Sequence, residues 1–112
     1  MAADPDFLAF LKEQLAGFGP VSVRRMFGGA GLYQDGVMFG LVADGTLHFK
    51  ADGETRPLFE SEGSAPFAYM AKGERRTVTS YWRAPEACLD DPEEMARWAR
   101  LALAAAMRSK NP

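Results

Sequence analysis

Two Asp-Gly pairs constrain the fold of this chain more than any other feature. Asp35-Gly36 and Asp44-Gly45 stand between apolar runs, and this pair is preferred in the two-residue turn of a β-hairpin. In residues 46–50 the odd positions are apolar and the even positions polar, so we expect one face on a core and the other in solvent. The turns therefore predict a three-stranded antiparallel meander that begins near residue 21.

Helical patterns precede and follow this meander, and a second pair of strand-like runs comes later in the chain. The predicted order is α-βββ-α-ββ-α, an α+β fold in which helices cover an antiparallel five-stranded sheet. Residues 1–112 are predicted to form a single domain. Outside the meander, the predicted elements are a helix from Pro5 to Gly17, a short helix in residues 54–63, strands in residues 66–70 and 77–82, and a long helix from Pro92.

Composition limits the classes of partner. The 112 residues are 47% apolar, which suffices for one core, and 13 Lys and Arg against 15 Asp and Glu give a formal charge of −2. This balance gives no strong nucleic-acid signal. No segment reaches the roughly 20 apolar residues of a membrane helix. With Cys88 as the only cysteine and no signal-type N-terminus, we expect a cytoplasmic protein without membrane contact.

No residue pattern indicates catalysis, a metal or a cofactor. His48 is the only histidine and Cys88 is distant in sequence, so the spacing of a metal site is absent. We expect His48 on the polar face of its strand and Cys88 as a buried thiol. The acids at 90–94 fit the start of a helix, and no serine has a nucleophile-elbow motif. The sequence therefore predicts a protein that is not an enzyme.

Gly28, Gly29 and Gly31 form a glycine-rich stretch that could be mistaken for a phosphate cradle. Its spacing matches neither the Walker motif nor the dinucleotide motif, and a strand rather than a helix follows it. We expect a bulge or a close backbone approach at the entry to the sheet. Phosphate binding is the alternative.

Arg24 and Arg25 are neighbours in an extended segment and should point to opposite faces. Together with Arg75 and Arg76 of the second hairpin, they could form a surface that binds an anion or an acidic partner. The alternative is a set of ordinary solvated charges. Rings of the predicted strands, such as Tyr81, would fill the core or, if exposed, mark a protein-binding patch.

Several separated blocks occur in the order found in one bacterial family. They resemble the N-terminal domain of the TfoX/Sxy regulators of bacterial competence, and the resemblance extends roughly over residues 21–107. The blocks are residues 21–33, 35–39, 47–50, 66–67, 80–82 and 89–99.

The resemblance implies an α+β domain with an arrangement like that of small secretion chaperones. It also implies a non-enzymatic regulatory or protein-interaction module, with a protein partner, self-association or the transcription machinery as its contacts. The founding members switch on DNA-uptake genes with a cyclic-AMP-dependent activator and carry a helical C-terminal domain, which we expect this chain to lack. A domain that binds a small anionic ligand or phosphate, and a regulator that binds DNA directly, are the alternatives.

Overall fold

The computed structural model describes residues 4–26 and 28–110, so Phe27 of the glycine-rich stretch lies outside the described residues. The chain contains helices and an antiparallel sheet, as predicted. The elements are α1 Pro5–Gln14, β1 Ser22–Met26, β2 Gly29–Gln34, β3 Val37–Ala43, β4 Thr46–Lys50, α2 Arg56–Ser61, β5 Pro66–Ala71, β6 Glu74–Arg83, α3 Ala87–Asp90 and α4 Pro92–Lys110.

The predicted Asp-Gly turns are confirmed. Asp35 and Asp44 have φ values of +50° and +52°, and the glycine after each is also positive, at +77° and +69°. Two successive residues with positive φ match the right-handed twist of a hairpin, which explains why this residue pair stands at each turn. Lys72 and Gly73 join β5 to β6 in the same way, with φ values of +52° and +77°.

The prediction of five strands was wrong, because the sheet has six. The first strand of the predicted meander, from near residue 21 to the turn at Asp35, is instead a hairpin: Gly28 has a φ of +77°, and β1 turns back to pair with β2 from Met26 opposite Gly29. A short helix, α3, also precedes the long final helix, so the order is α-ββββ-α-ββ-α-α. The arrangement like that of secretion chaperones stays a prediction.

The sheet has the strand order β1-β2-β3-β4-β6-β5. One face, here called the closed face, carries a row formed by Leu32, Gly40, Phe49 and Trp82 on four neighbouring strands. Helix α4 lies across β3 and β4 on this side, and α1 packs beside α4. The Phe59 ring of α2 lies 4.9 Å from the ring of Trp98 and 6.2 Å from that of Trp82, so three aromatic rings join helices to sheet. Removal of this apolar surface from water is the main stabilising term.

Helices α1 and α4 begin at the Asp-Pro pairs where the sequence predicts them to begin. Asp4 Oδ1 accepts a hydrogen bond from the Asp6 amide at 2.9 Å, and Asp91 Oδ1 accepts one from the Glu93 amide at the same distance. These bonds satisfy first-turn amides that the helix leaves unpaired, which confirms capping by acidic residues at both starts. In the part of the chain that the structure describes, none of the helices is long and apolar enough to cross a membrane.

Candidate binding cleft

The second face of the sheet, here called the open face, differs from the closed face in what covers it. Strand register places Arg24, Gly31, Leu41, His48 and Arg83 in one row that crosses the sheet from β1 to β6. Helices α1 and α4 pack on the opposite side of the sheet, so they do not cover this row. The β5–β6 hairpin lies over part of it instead.

Two glycines of β2 allow neighbouring groups to approach the backbone closely. A Cβ atom on Gly29 would lie 2.1 Å from the carbonyl oxygen of Val42, a distance that no side chain tolerates. A Cβ atom on Gly31 would lie 2.8 Å from the Cε of Met26 and 3.0 Å from the Cε1 of Tyr33. The predicted close backbone approach is therefore confirmed at Gly29, and Gly31 gives space to the side chains that close over it.

Aromatic side chains of β5, here called the wall, stand beside Gly29 and Gly31, here called the glycine floor. The pairing of β5 with β6 shifts by several residues, from Pro66 opposite Trp82 to Phe67 opposite Val78, so β6 carries a large bulge. Bulges bend strands and re-aim their side chains. Here Phe67 lies edge-on against the ring of His48, at 4.8 Å between centroids, and stacks with Tyr69 at 5.8 Å.

Floor and wall enclose a cleft of about 500 Å³. Met26 and Leu41 line it from the sheet, Phe67 and Tyr69 line it from β5, and Gly28 and Gly29 lie at its glycine end. Among the described lining residues, Asp44 is the charged one. The volume falls within the range of about 300–1,000 Å³ typical of ligand sites.

His48 lies under the wall, where sequence alternation predicted solvent, so that prediction was wrong. Its side chain is buried, with 8% of the residue exposed, and its Nδ1 atom has no hydrogen-bond partner. Burial lowers the pKa of His48 below its ordinary value of 6.5, and the charge of Arg83 acts in the same direction. The carboxylate of Asp44 and nearby backbone groups offset part of this effect. His48 therefore contacts Phe67 as a neutral ring.

The opposite end of the open face pairs cations with rings. The Arg24 guanidinium lies 5.6 Å from the centroid of the Tyr33 ring, and the Lys50 ammonium lies 5.2 Å from that of Tyr81. Burial, with Tyr33 nearby, raises the pKa of Tyr81 to about 12. These contacts are cation–π interactions, which hold both long cations against the sheet.

The structure separates the residues that the sequence suggested as an anion or partner site. Gly28 and Gly29 line the cleft, Gly31 lies in the floor of the open face, and none of the four arginines lines the cleft. Arg24 and Arg25 lie on opposite faces of β1, as predicted. Arg75 and Arg76 are exposed on β6, where Arg76 lies 3.8 Å from Glu74.

Sequence reasoning missed the residues that give the cleft its chemistry. Asp44 was taken only as a turn residue, and Met26 and Leu41 only as strand residues. One signal was present: Phe67 and Tyr69 alternate in a short run that has no charged residue, which is unusual for an edge strand.

Cys88 is buried as predicted, and burial raises the pKa of its thiol to about 12. A thiol in that state is a poor nucleophile at neutral pH. Within residues 4–26 and 28–110, no three His, Cys, Asp or Glu side chains lie close enough together to hold a metal ion.

Comparison with known proteins identifies relatives over most of the chain. The sequence model of the TfoX N-terminal domain matches residues 13–106, a range that includes every described residue of the cleft. The DNA transformation protein TfoX1 of Aliivibrio fischeri is 36% identical over 75 residues, which cover 67% of this chain and 34% of that protein. The match thus spans about a third of the length of the curated relative.

Proposed function

The chain belongs to the TfoX N-terminal domain family, and from this premise we propose that it is a non-enzymatic regulatory domain that binds a protein partner through its open face. The relative from Aliivibrio fischeri is named a DNA transformation protein. We extend that setting to this chain as part of the proposal, with regulation of DNA transformation as the process and the cytoplasm as the place.

The observation that carries the proposal is the cleft on the side of the sheet that the helices leave uncovered. Tyr69 of its wall is 46% exposed, and Phe67 and Met26 line the same cleft beside it. Exposed aromatic residues and methionines that cluster around a concave surface are typical of protein-binding sites rather than of ordinary surface. A partner that covered them would bury apolar area that the domain alone leaves in water.

The chemistry of the cleft supports binding over catalysis. Acid–base catalysis commonly uses two positioned groups that reach the substrate, one that accepts a proton and one that donates it. Here Nδ1 of His48 is buried beneath Phe67, and among the described lining residues Asp44 is the one that carries a charge. An apolar pocket with one carboxylate is suited to hold a group in place.

The two alternatives make different demands on charge. An anionic ligand in the cleft would meet the carboxylate of Asp44 and would have no arginine among the described lining residues. Anion binding by Arg24, Arg25, Arg75 and Arg76 therefore requires a second surface, and it stays a prediction. Direct DNA binding would have to overcome a formal charge of −2 and would weaken steeply with salt.

Affinity capture with matched variants tests the proposal. The wild-type domain and a variant that carries both Phe67→Ala and Tyr69→Ala would be used as baits in extract of the source cells. Leu58→Ala is the control, because Leu58 is an exposed apolar residue of α2 and does not line the cleft. We expect a partner that binds the wild type and the control but not the double variant. A partner that all three baits retain equally would contradict the open face as the binding surface.

A further inference from the structure

We propose that the cleft receives an aromatic side chain of the partner protein that is followed in its sequence by a lysine or arginine. This inference rests on the proposed function and specifies the chemistry of its partner. It combines three properties of the cleft: the stacked rings that line one side, the position of its carboxylate and its place beside the edge of the sheet.

The shape of the cleft favours a planar group. Gly29 lines the cleft without a side chain, and the carbonyl oxygen of Val42 fills the place that a methyl group would take. On the other side stand the rings of Phe67 and Tyr69, which already stack on each other at 5.8 Å. A third ring in the space between can make offset or edge contacts with this pair at ordinary aromatic distances of about 4.5–7 Å. Met26, a flexible and polarisable side chain, can adjust to its outline.

The charge of the cleft favours a cation next to that ring. Asp44 sits in the β3–β4 turn at the edge of the cleft, and no described lining residue opposes its charge. Arg83 and His48 lie together with Asp44 around a separate, smaller pocket of about 210 Å³ on the other side of Phe67. A partner cation is thus attracted by Asp44, whereas a partner carboxylate is repelled.

The surroundings of the cleft favour a chain segment over a free small molecule. β5 pairs with β6 alone and is therefore an edge strand of the sheet. Its exposed Tyr69 brings the apolar surface of the cleft to this edge, whereas the exposed Met70 lies on the opposite face of the strand. An extended segment can run along such an edge while one of its side chains enters the cleft, as in other cases of strand addition.

Three blocked peptides that differ at one position test the charge preference. Each contains a tryptophan in a glycine-serine frame, followed by lysine, by norleucine as its neutral counterpart, or by glutamate. The peptides would be titrated into the isotope-labelled domain, with the amide signals of Gly29, Leu41 and Tyr69 as reporters. We expect the lysine peptide to bind about threefold more tightly than the norleucine peptide and the glutamate peptide to bind most weakly.

Two variants separate the ring from the charge. Asp44→Asn suits the positive φ of +52° at this turn, and it should make the three affinities equal. Tyr69→Ala should weaken all three peptides, whereas Leu58→Ala should leave them unchanged. An unchanged preference in Asp44→Asn, a glutamate peptide that binds best, or signals that move outside the cleft would overturn the inference. Absence of binding up to about 10 mM peptide would overturn it too.

Free tryptamine carries the same ring and charge without a peptide chain. If it bound as tightly as the lysine peptide, the cleft would be a small-molecule site and the inference would be wrong. Failure of the inference is distinguishable from failure of the proposed function. A natural partner that is lost with the Phe67 and Tyr69 substitutions, while no peptide binds, would retain the function and remove only this assignment.

Discussion

Both faces of the sheet combine large rings with small residues. The sheet supplies the rings on the closed face, whereas it supplies the small residues beside the cleft of the open face. On the closed face the large rings of Phe39 and Phe49 stand on the sheet, and helix α4 meets them mostly with small residues such as Ala99 and Ala102. At the cleft end of the open face the sheet contributes glycine at positions 29 and 31, and the large rings come from β5. The first face keeps a pocket of about 90 Å³ beside Phe7 and Leu47, whereas the second keeps a cleft of about 500 Å³.

Under the proposed function, this difference lets one sheet serve both stability and binding. A face that is closed by its own helices leaves no room for another molecule. A face that is partly covered by a hairpin has a preformed concave surface, and occupation of that surface need not disturb the core. The stability of this domain should therefore depend on the closed face and its partner binding on the open face.

The largest expected effect contrasts a ring on each face. Phe49 is fully buried, so Phe49→Ala should reduce the free energy of unfolding by about 3–5 kcal/mol. Tyr69→Ala removes a ring that is 46% exposed and should cost less than about 1 kcal/mol. Urea unfolding followed by circular dichroism measures both values. Equal losses would mean that the open face contributes to the core as much as the closed face does.

The second prediction concerns the glycine floor. Gly29→Ala should destabilise the domain by about 1–3 kcal/mol, because the new methyl group would collide with a backbone oxygen that cannot rotate away. Gly17→Ala is the matched control, since nothing lies within 4 Å of its Cβ position, and it should be neutral or slightly stabilising. Equal urea midpoints for the two variants would show that β2 and β3 can separate enough to admit a side chain.

Gly29 and the hairpin turns also show what the sequence could and could not predict. The close approach at Gly29 and the turns at Asp35 and Asp44 follow from local chemistry, because glycine and Asp-Gly have few other reasons to stand there. The β1–β2 hairpin was missed because its turn lacks an Asp-Gly or Asn-Gly pair. Local pattern thus predicts turns of the preferred type and fails at unusual ones.

His48 shows a limit of a different kind. Alternation in β4 correctly places His48 on the face opposite Phe49, but it does not reveal whether that face meets water. The answer depends on Phe67, about twenty residues later, and on a bulge in β6 that no short pattern predicts. The cleft has the same origin, so its residues could be found only once the strands were placed together.

The third prediction concerns pH. The pKa of His48 is lowered in the folded state, so between that value and its ordinary value of 6.5 the unfolded chain binds more protons. The free energy of unfolding should therefore decrease as the pH falls below 6.5 and level off below the folded pKa. Protonated His48 would face Arg83 and the ring of Phe67, with Asp44 as the partly compensating charge.

Urea midpoints measured from about pH 7.5 to about pH 5 test this expectation. His48→Gln, which cannot titrate in that range, is the control and should show a flatter profile. If the two profiles coincide, His48 does not link the stability of the open face to pH. Signals of Phe67 and Tyr69 that shift with the same midpoint would locate the effect at the wall of the cleft.

The smallest expected effect belongs to an ion pair at the end of α4. Arg108 donates to both carboxylate oxygens of Asp52, at 2.6 and 3.1 Å, and lies 2.9 Å from Glu54. The hydrogen bond from Arg108 lowers the pKa of Asp52 from 3.8 to about 2. Its contribution to stability is therefore present above pH 3.8 and is lost as the pH falls towards 2.

Arg108→Gln tests whether apolar packing or this ion pair holds α4 on the closed face. Asp52 also accepts hydrogen bonds from the backbone amides of Glu54 and Thr55. Substitution of the arginine therefore isolates the contribution of the ion pair more cleanly than substitution of the aspartate. Exposed pairs contribute little, and we expect a shift of the urea midpoint smaller than that of Gly29→Ala at neutral pH. The pKa of Asp52, followed by NMR, should return towards 3.8. A loss of stability like that of Phe49→Ala would mean that the closed face depends on its charged border as well as on its rings.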